Sequence, residues 1–457
     1  MARMNRVRRH HSFTRSTAGL LAIAVTGCGS WSRVGTQPAP DRAESLAQLS
    51  DITTIYRRLG RLAVGAPLPF VGSLAFVGGP HDSTLTLVSL SLENRAFAFQ
   101  KEGREFVAHY VVDVSAQPAS GAPVQLSKDE TVRVGTFQET LRTDESVLFQ
   151  QTLRLAPGSH HVTVSVRDRS SATQGHAEGD FMVPAFPSGS LSSALFAYRV
   201  RGRAGRDDAL SVIVNPRGTV AYGGDTVLAY VEGYQMPGPS AVPFEIRDQD
   251  DSLVLRDTLR FTGGREVESE VIRFSPDTAP LGELRLVLGN GAQRKTTSFL
   301  VSFSQAWLVT NLEEMVSMLR YFPQSDRLDA LRKATPADRS RLWREFWLDT
   351  DPDKLTPENE ALNRYFARLG VANTRFREDG FEGWRTDRGE VFIGLGEPDE
   401  IFDASQTSQG RVIRWTYDNY RVTLYFVDES GFGRYRMTPT SRSDYERVLG
   451  RVRRMSS

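Results

Sequence analysis

Carboxylates are the residues of the C-terminal third that could do chemistry: Asp387, Glu390, Glu397 and Asp399 fall within thirteen positions of one another. Two such groups can hydrolyse a glycosidic bond, as acid with base or nucleophile, when they face each other roughly 5–9 Å apart. Other catalytic pairings are closed to this region, because the histidines stand at 10, 11, 81, 109, 160, 161 and 176 and the single cysteine at 28. Beyond residue 176 there is thus no Ser-His-Asp triad, no Cys-His pair and no His or Cys zinc site. Asp387, Glu397 and Asp399 are the candidate catalytic set, although acids beside turns ordinarily cap backbone or face solvent. Asp349, Asp351, Asp353 and Glu360 occupy positions 1, 3, 5 and 12 of a calcium-loop pattern. Lys354, however, takes position 6, where that loop needs glycine for its sharp turn. Helix capping accounts for the same acids, so no metal and no cofactor is assigned. The pair His160-His161 lies in a strand-like stretch, which points the two rings to opposite faces and places them at the surface rather than on one ion.

Cys28 invites a different chemistry. Arg3, Arg6, Arg8, Arg9 and Arg15 precede the apolar run from Ala18 to Val25, with no acid among the first fifteen residues. A basic region ahead of so short an apolar one reads as a signal peptide, residues 1–27, and not as a mature transmembrane helix. Val25-Thr26-Gly27-Cys28 resembles the lipobox of bacterial lipoproteins, which implies cleavage before Cys28 and lipidation at its sulfur. Two or three acyl chains, as that resemblance implies, anchor a protein stably where one would not. Gly29, and no Asp, follows the cysteine, which favours the outer membrane, with the chain facing the periplasm. With one cysteine the mature chain forms no internal disulfide.

Charge excludes one large class of function. The 56 basic and 55 acidic side chains leave a formal charge of +1 and are spread along the chain, so the basic stripe of a nucleic-acid binder is missing. After Val25 no long apolar stretch recurs, and neither a transmembrane helix nor a membrane barrel is expected.

The elements that must position these residues follow from periodicity. Residues 28–40 are rich in Gly, Ser, Thr and Pro and read as a flexible tether. Residues 41–66 form an N-terminal helical segment, since Leu46, Leu49, Ile52, Ile55, Tyr56 and Leu59 keep helical spacing. From 67 to 187 the period is two, with short strands between Gly, Pro, Asn and Asp turns, the pattern of an antiparallel β-sandwich. A second unit of that kind spans 188–305, and Leu155-Ala-Pro-Gly158 recurs loosely there as Thr278-Ala-Pro-Leu-Gly282. The fold class is therefore multidomain and mainly β: two tandem Ig-like sandwiches, then an α+β module over 306–457. In that module Thr335-Pro336 and Thr356-Pro357 each place Thr at an N-cap and Pro at the first helical position. Glu390 to Leu395 reads as a strand ended by the turn Gly396-Glu397-Pro398, and Ser441 to Arg453 as a closing basic helix.

Gly383-Trp384-Arg385-Thr386-Asp387-Arg388-Gly389 resembles the signature of the GWxTD-domain family. The likeness continues upstream in Phe346-Trp347, Asp351-Pro352-Asp353, Asn359-Glu360, Tyr365, Arg368 and Ala372-Asn373. Downstream it runs through Val391-Phe392-Ile393, Gly396, Pro398-Asp399, Trp415, Tyr417 and Phe426-Val427-Asp428, and covers roughly 308–436. Two positions depart from the pattern: Thr350 stands where an Arg is expected, and Gly394-Leu395 where an aromatic before Gly is common. The resemblance implies two sandwiches ahead of the module and an envelope location, and it brings no activity.

Physically the signature reads as a turn with an anchor: Gly383 and Gly389 for backbone conformations closed to other residues, Trp384 for a large apolar face, Thr386 and Asp387 for bonds to nearby amides. Arg388, Gly396, Pro398, Trp415 and Tyr417 complete the candidate signature or binding set. The function expected is non-enzymatic, a lipid-anchored envelope scaffold whose C-terminal module docks an envelope protein or cell-wall partner. The alternative is a carboxylate-dependent hydrolase acting on envelope polysaccharide.

Overall fold

The computed structural model describes residues 31–34, 52–142, 145–277, 279–304, 306–356, 358–378, 381–407 and 410–456. The signal peptide, Cys28 and most of the tether lie outside the described residues. Within the N-terminal helical segment a helix runs Ile52–Arg58.

The first β unit consists of two sheets. One is ordered Leu62–Val64, Phe70–Gly78, Thr84–Leu92, Val147–Leu155. The other is ordered Gln174–Val183, Gly158–Asp168, Glu105–Pro118, Gln100–Glu102, with Val124–Val134 also paired to Glu105–Pro118. Alternation sends Val112, Val114, Val162, Val164 and Val166 inward, where they meet Val88, Leu90 and Leu92 of the opposite sheet in one buried cluster. Each such side chain contributes about 1.5–3 kcal/mol by leaving water. Thr84–Leu92 is buried on both faces because its other face, through Leu87, packs on Leu195, Val212, Val214 and Tyr230 of the second unit.

The second unit also has two sheets, ordered Ser211–Val214, Leu195–Arg201, Val227–Tyr234, Val267–Phe274 and Thr219–Ala221, Lys295–Ser302, Gly282–Leu288, Ser240–Arg247, Leu253–Phe261. Thr219–Ala221 pairs in parallel with Lys295–Ser302, and the other pairings are antiparallel. Its core of Phe244, Ile246, Leu286 and Phe299 is continuous with that of the C-terminal module through Phe303, Trp307 and Trp343. The boundary expected at 305 and 306 therefore cuts one hydrophobic core.

The module begins with helices Leu312–Met318, Ser325–Lys333, Pro336–Thr350 and Glu360–Arg375. A 3-10 turn, Gly383–Arg385, leads into a helix, Asp387–Leu395, and then into an antiparallel sheet closed by the helix Pro439–Ser456. The sheet is ordered Trp31–Val34, Glu400–Thr407, Gly410–Tyr417, Val422–Asp428, Arg436–Met437.

Three expectations change here. Glu390 to Leu395 is helical: Thr386 caps the turn, Asp387 and Glu390 sit in its acidic first turn, and tertiary burial of Val391, Phe392 and Leu395 overrides the β-propensity of the run. The helix expected from Pro357 starts at Glu360, because Asn359 and not Thr356 accepts the N-cap hydrogen bond, from Leu362 N–H. Part of the expected tether, Trp31–Val34, is an edge strand whose register runs from Trp31 opposite Ala404 to Val34 opposite Ile401.

Candidate functional site

The signature is a close-packed backbone crossing. A Cβ on Gly383 would stand 2.2 Å from the Ala372 carbonyl oxygen, and one on Gly389 would stand 2.0 Å from that of Gly383. Neither glycine has positive φ, so closeness of approach, and not the left-handed conformation expected from sequence, requires them. Gly383 N–H donates to the Asn373 side chain at 3.1 Å, which ties the turn to the end of the preceding helix. Thr386 is 1% exposed; its hydroxyl donates to the Gly383 carbonyl at 2.8 Å and accepts from Gly389 N–H at 3.1 Å. Trp384 is buried between the guanidinium groups of Arg320 and Arg385, which lie 4.8 and 4.7 Å from its ring centre. Arg388 stacks over Tyr435 at 4.3 Å and pairs at 3.4 Å with Glu378, whose side chain is fully enclosed. Gly396 has φ 90° and ends the helix, and its carbonyl accepts from the Tyr417 hydroxyl at 2.9 Å. Pro398 and Trp415 are buried.

The candidate catalytic acids are all engaged. Asp387 Oδ2 accepts from Met437 N–H at 2.7 Å, while Oδ1 is 3.0 Å from Arg442, which also holds Glu390 at 2.9 Å. Glu397 accepts both guanidinium arms of Arg375, at 2.6 and 2.9 Å. Asp399 Oδ2 accepts from Asp418 N–H at 2.7 Å. These bonds give each carboxylate a structural task.

Of the acids in the calcium-like pattern, Asp349 pairs with Arg327 at 2.6 Å, Asp351 accepts from Asp353 N–H at 3.1 Å, and Glu360 accepts from the Thr356 hydroxyl. Among the described residues no group of three or more His, Cys, Asp or Glu could hold a metal ion. The two adjacent histidines do face opposite ways. His161 is exposed and bonded to Asp180 at 2.9 Å, which raises its pKa, whereas His160 is buried, contrary to the expected surface position of both.

A further concave feature among the described residues lies elsewhere, where the second β unit, with Glu145 of the first, meets the helices of the module. A cleft of about 660 Å³ is lined by Tyr198, Tyr222, Phe303, Trp343, Trp347 and Glu145, among others. Trp343 and Trp347 project from one face of Pro336–Thr350, four residues apart. Arg344 on the same helix donates to the carbonyls of Gly223 and Gly224, at 2.5 and 3.2 Å, and pins the opposite wall. Tyr198 is 42% exposed. Burial of its hydroxyl end, with the negative charge of Glu145 beside it, pushes the phenol pKa up. Among the described residues Glu145 Oε2 is buried and has no hydrogen-bond partner. Sequence pattern pointed to Trp347 as part of a family match, but gave no signal for Glu145 or Tyr198, which reach the cleft only through the tertiary fold.

Compared with known proteins, residues 286–448 match the GWxTD domain, a span that takes in the end of Gly282–Leu288 and all of Lys295–Ser302 of the second β unit. No curated protein matches the chain. Among solved structures, the BSP domain of a biofilm associated protein aligns at 9% identity over 55% of this chain and 54% of that one, with a TM-score of 0.16. The chain thus spans about half the length of that structure. The calcium binding domain CBD12 of CALX1.1 aligns at 8% identity over 59% and 93%, TM-score 0.13. E. coli alpha-2-macroglobulin aligns at 9% identity over 52% and 16%, TM-score 0.15. Similarity this low carries no argument about fold or function.

Proposed function

For this GWxTD domain-containing chain we propose a non-enzymatic role: a cell-envelope protein, lipid-anchored at Cys28 in the outer membrane and facing the periplasm, that binds a cell-wall glycan. The two paired-sheet units act as tandem Ig-like sandwiches, and the binding face lies where they meet the module. The observation that carries the reading is the cleft between the second unit and the module. Its accessible aromatics, Tyr198 and Trp347, offer apolar faces on which sugar rings stack, and the polar groups of the lining surround them. The same lining favours the wall partner over a nucleic acid, since its one arginine among the described residues, Arg344, is paired with Asp277, and Glu145 and Asp225 share the lining. Asp387, Glu397 and Asp399 are committed to Arg442, Arg375 and backbone amides, so the alternative of a carboxylate-dependent polysaccharide hydrolase gains nothing from them.

Co-sedimentation with purified peptidoglycan tests the proposal. The intact chain is expected to pellet with it, and Tyr198→Ala or Trp347→Ala to weaken that binding at least tenfold while leaving the folded circular-dichroism signal intact. Absence of binding by the wild-type chain, or equal binding by both variants, overturns the reading.

A further inference from the structure

One end of the module's sheet gathers features that the cleft does not use. Val422–Asp428 ends there and returns as Arg436–Met437 through residues 429–435. The loop is built around Asp428, which is fully buried and accepts from Ser430 Oγ at 2.8 Å, Gly431 N–H at 3.0 Å and Gly433 N–H at 2.7 Å. So firmly held a turn nevertheless carries Phe432 at its tip, 80% exposed. Phe381, 42% exposed, meets the returning end of this segment, with the guanidinium groups of Arg434 and Arg436 at 5.5 and 5.6 Å from its ring centre. Arg411, Arg434 and Arg436 are all exposed, against the exposed Glu429 of the loop and the half-buried Asp403 of the neighbouring strand. The buried Glu378 takes up part of the charge of Arg436, at 3.7 Å.

Strand directions place the chain's N-terminal part at this same end. Trp31 is opposite Ala404, Ala404 opposite Val412, and Val412 opposite Val427. Trp31–Val34 therefore enters the sheet from the end at which Asp428 begins its loop. Cys28 stands three residues before Trp31, and three residues reach at most about 11 Å. Neighbouring strands are about 4.8 Å apart, so the entry of that strand and the Phe432 loop lie about 14 Å apart along one edge.

The geometry points to this edge as a bilayer-facing surface: Phe432 and Phe381 seat among lipid headgroups while Arg411, Arg434 and Arg436 meet anionic phosphates. For its orientation the inference rests on the anchoring of Cys28; its aromatic and basic groups stand independently of that lipid. An aromatic side chain at a rigid tip, flanked by arginines, suits the membrane interface, where a ring is half desolvated and cations remain hydrated. Attraction to anionic headgroups adds to it and falls with salt. A chain held at both its N-terminal lipid and this edge is fixed in orientation, with the module lying against the membrane.

Flotation with vesicles tests this on the full mature chain carrying Cys28→Ser, which lacks the lipid. It is expected to bind phosphatidylglycerol–phosphatidylethanolamine vesicles at low salt, at least tenfold more tightly than phosphatidylcholine vesicles. Phe432→Ser with Arg434→Gln is expected to cut that binding at least tenfold. In Phe432→Trp, brominated lipid is expected to quench more fluorescence than in the wild type. No preference for anionic vesicles, no loss in the double variant, or no added quenching overturns the inference. Failure of the anchor is read separately, from the mass of the Cys28 peptide in native material.

Discussion

At the scale of single residues, the signature's two glycines are a steric requirement. Gly389 passes so close to the Gly383 carbonyl that any Cβ must move backbone, and no flexible side chain is there to give way. Gly389→Ala is therefore expected to destabilise the chain by about 1–3 kcal/mol or more, the cost of overpacking a rigid contact; a urea midpoint unchanged from wild type would refute this. The sequence showed that glycine matters here but suggested the wrong reason, since backbone approach across six residues leaves no trace in local pattern. A titration argument belongs to the same scale. Burial pushes the Asp428 pKa up, but hydrogen bonds from Ser430, Gly433 and Gly431 outweigh it and hold the carboxyl below the ordinary value of 3.8. A depressed folded pKa stabilises fully above the unfolded value and loses that contribution as pH falls through the folded one. Asp428→Asn is thus expected to lower stability at pH 7 and to narrow its gap from wild type below about pH 3.8, as measured by denaturant unfolding across pH.

At the scale of elements, the helix Asp387–Leu395 shows where pattern reading succeeds and where it fails. Alternation made the strands of both β units legible, because Val162, Val164 and Val166 each point into a core on one side only. Thr84–Leu92 departs from alternation for a reason sequence cannot supply: a second unit covers its outer face. Val391-Phe392-Ile393 reads as a strand because a short apolar run has no distinguishing period. Helix wins there because Thr386 supplies the cap and because Val391, Phe392 and Leu395 find partners in the module's core. Thr386→Ala removes both the cap and the bond to Gly383, and is expected to cost about 1–2 kcal/mol. Thr386→Ser keeps the hydroxyl and is expected to recover most of it; equal loss in the two variants, by thermal or urea unfolding, would show that the methyl packing and not the cap dominates. The cleft was the part least legible, since Glu145, Tyr198, Tyr222 and Trp347 come from four separate segments.

At the scale of the whole molecule, the two β units are locked by a buried ion pair whose other bonds cross between them. Arg203 meets Glu232 at 2.7 and 2.9 Å, with 1% and 0% of their side chains exposed. Tyr230 and Tyr234 hydroxyls donate to the same carboxylate at 2.7 and 2.6 Å. The pair reaches the first unit through Gly78, whose carbonyl accepts from Arg203 and whose N–H donates to the Tyr234 hydroxyl at 2.6 Å. The N-terminal helix adds a second clasp, as Tyr56, Leu59, Val71, Leu300 and Leu308 share one cluster that draws on both units and the module. Two units so fastened hold Glu145 of the first and Tyr198 of the second in a fixed arrangement on the cleft wall, where a flexible joint would not. Glu232→Gln leaves the Arg203 charge buried without its counter-charge, and loss of one partner of a buried pair costs about 3–5 kcal/mol. Glu345→Gln removes an exposed pair with Arg341, four residues away on one helix, for which at most about 0.5 kcal/mol is expected. If the lock sets the arrangement of the units, Glu232→Gln also broadens the distance distribution between spin labels placed one on each unit. Comparable losses in the two variants, or an unaltered distance distribution beside a large loss of stability, would show the pair to support its own unit and not the joint.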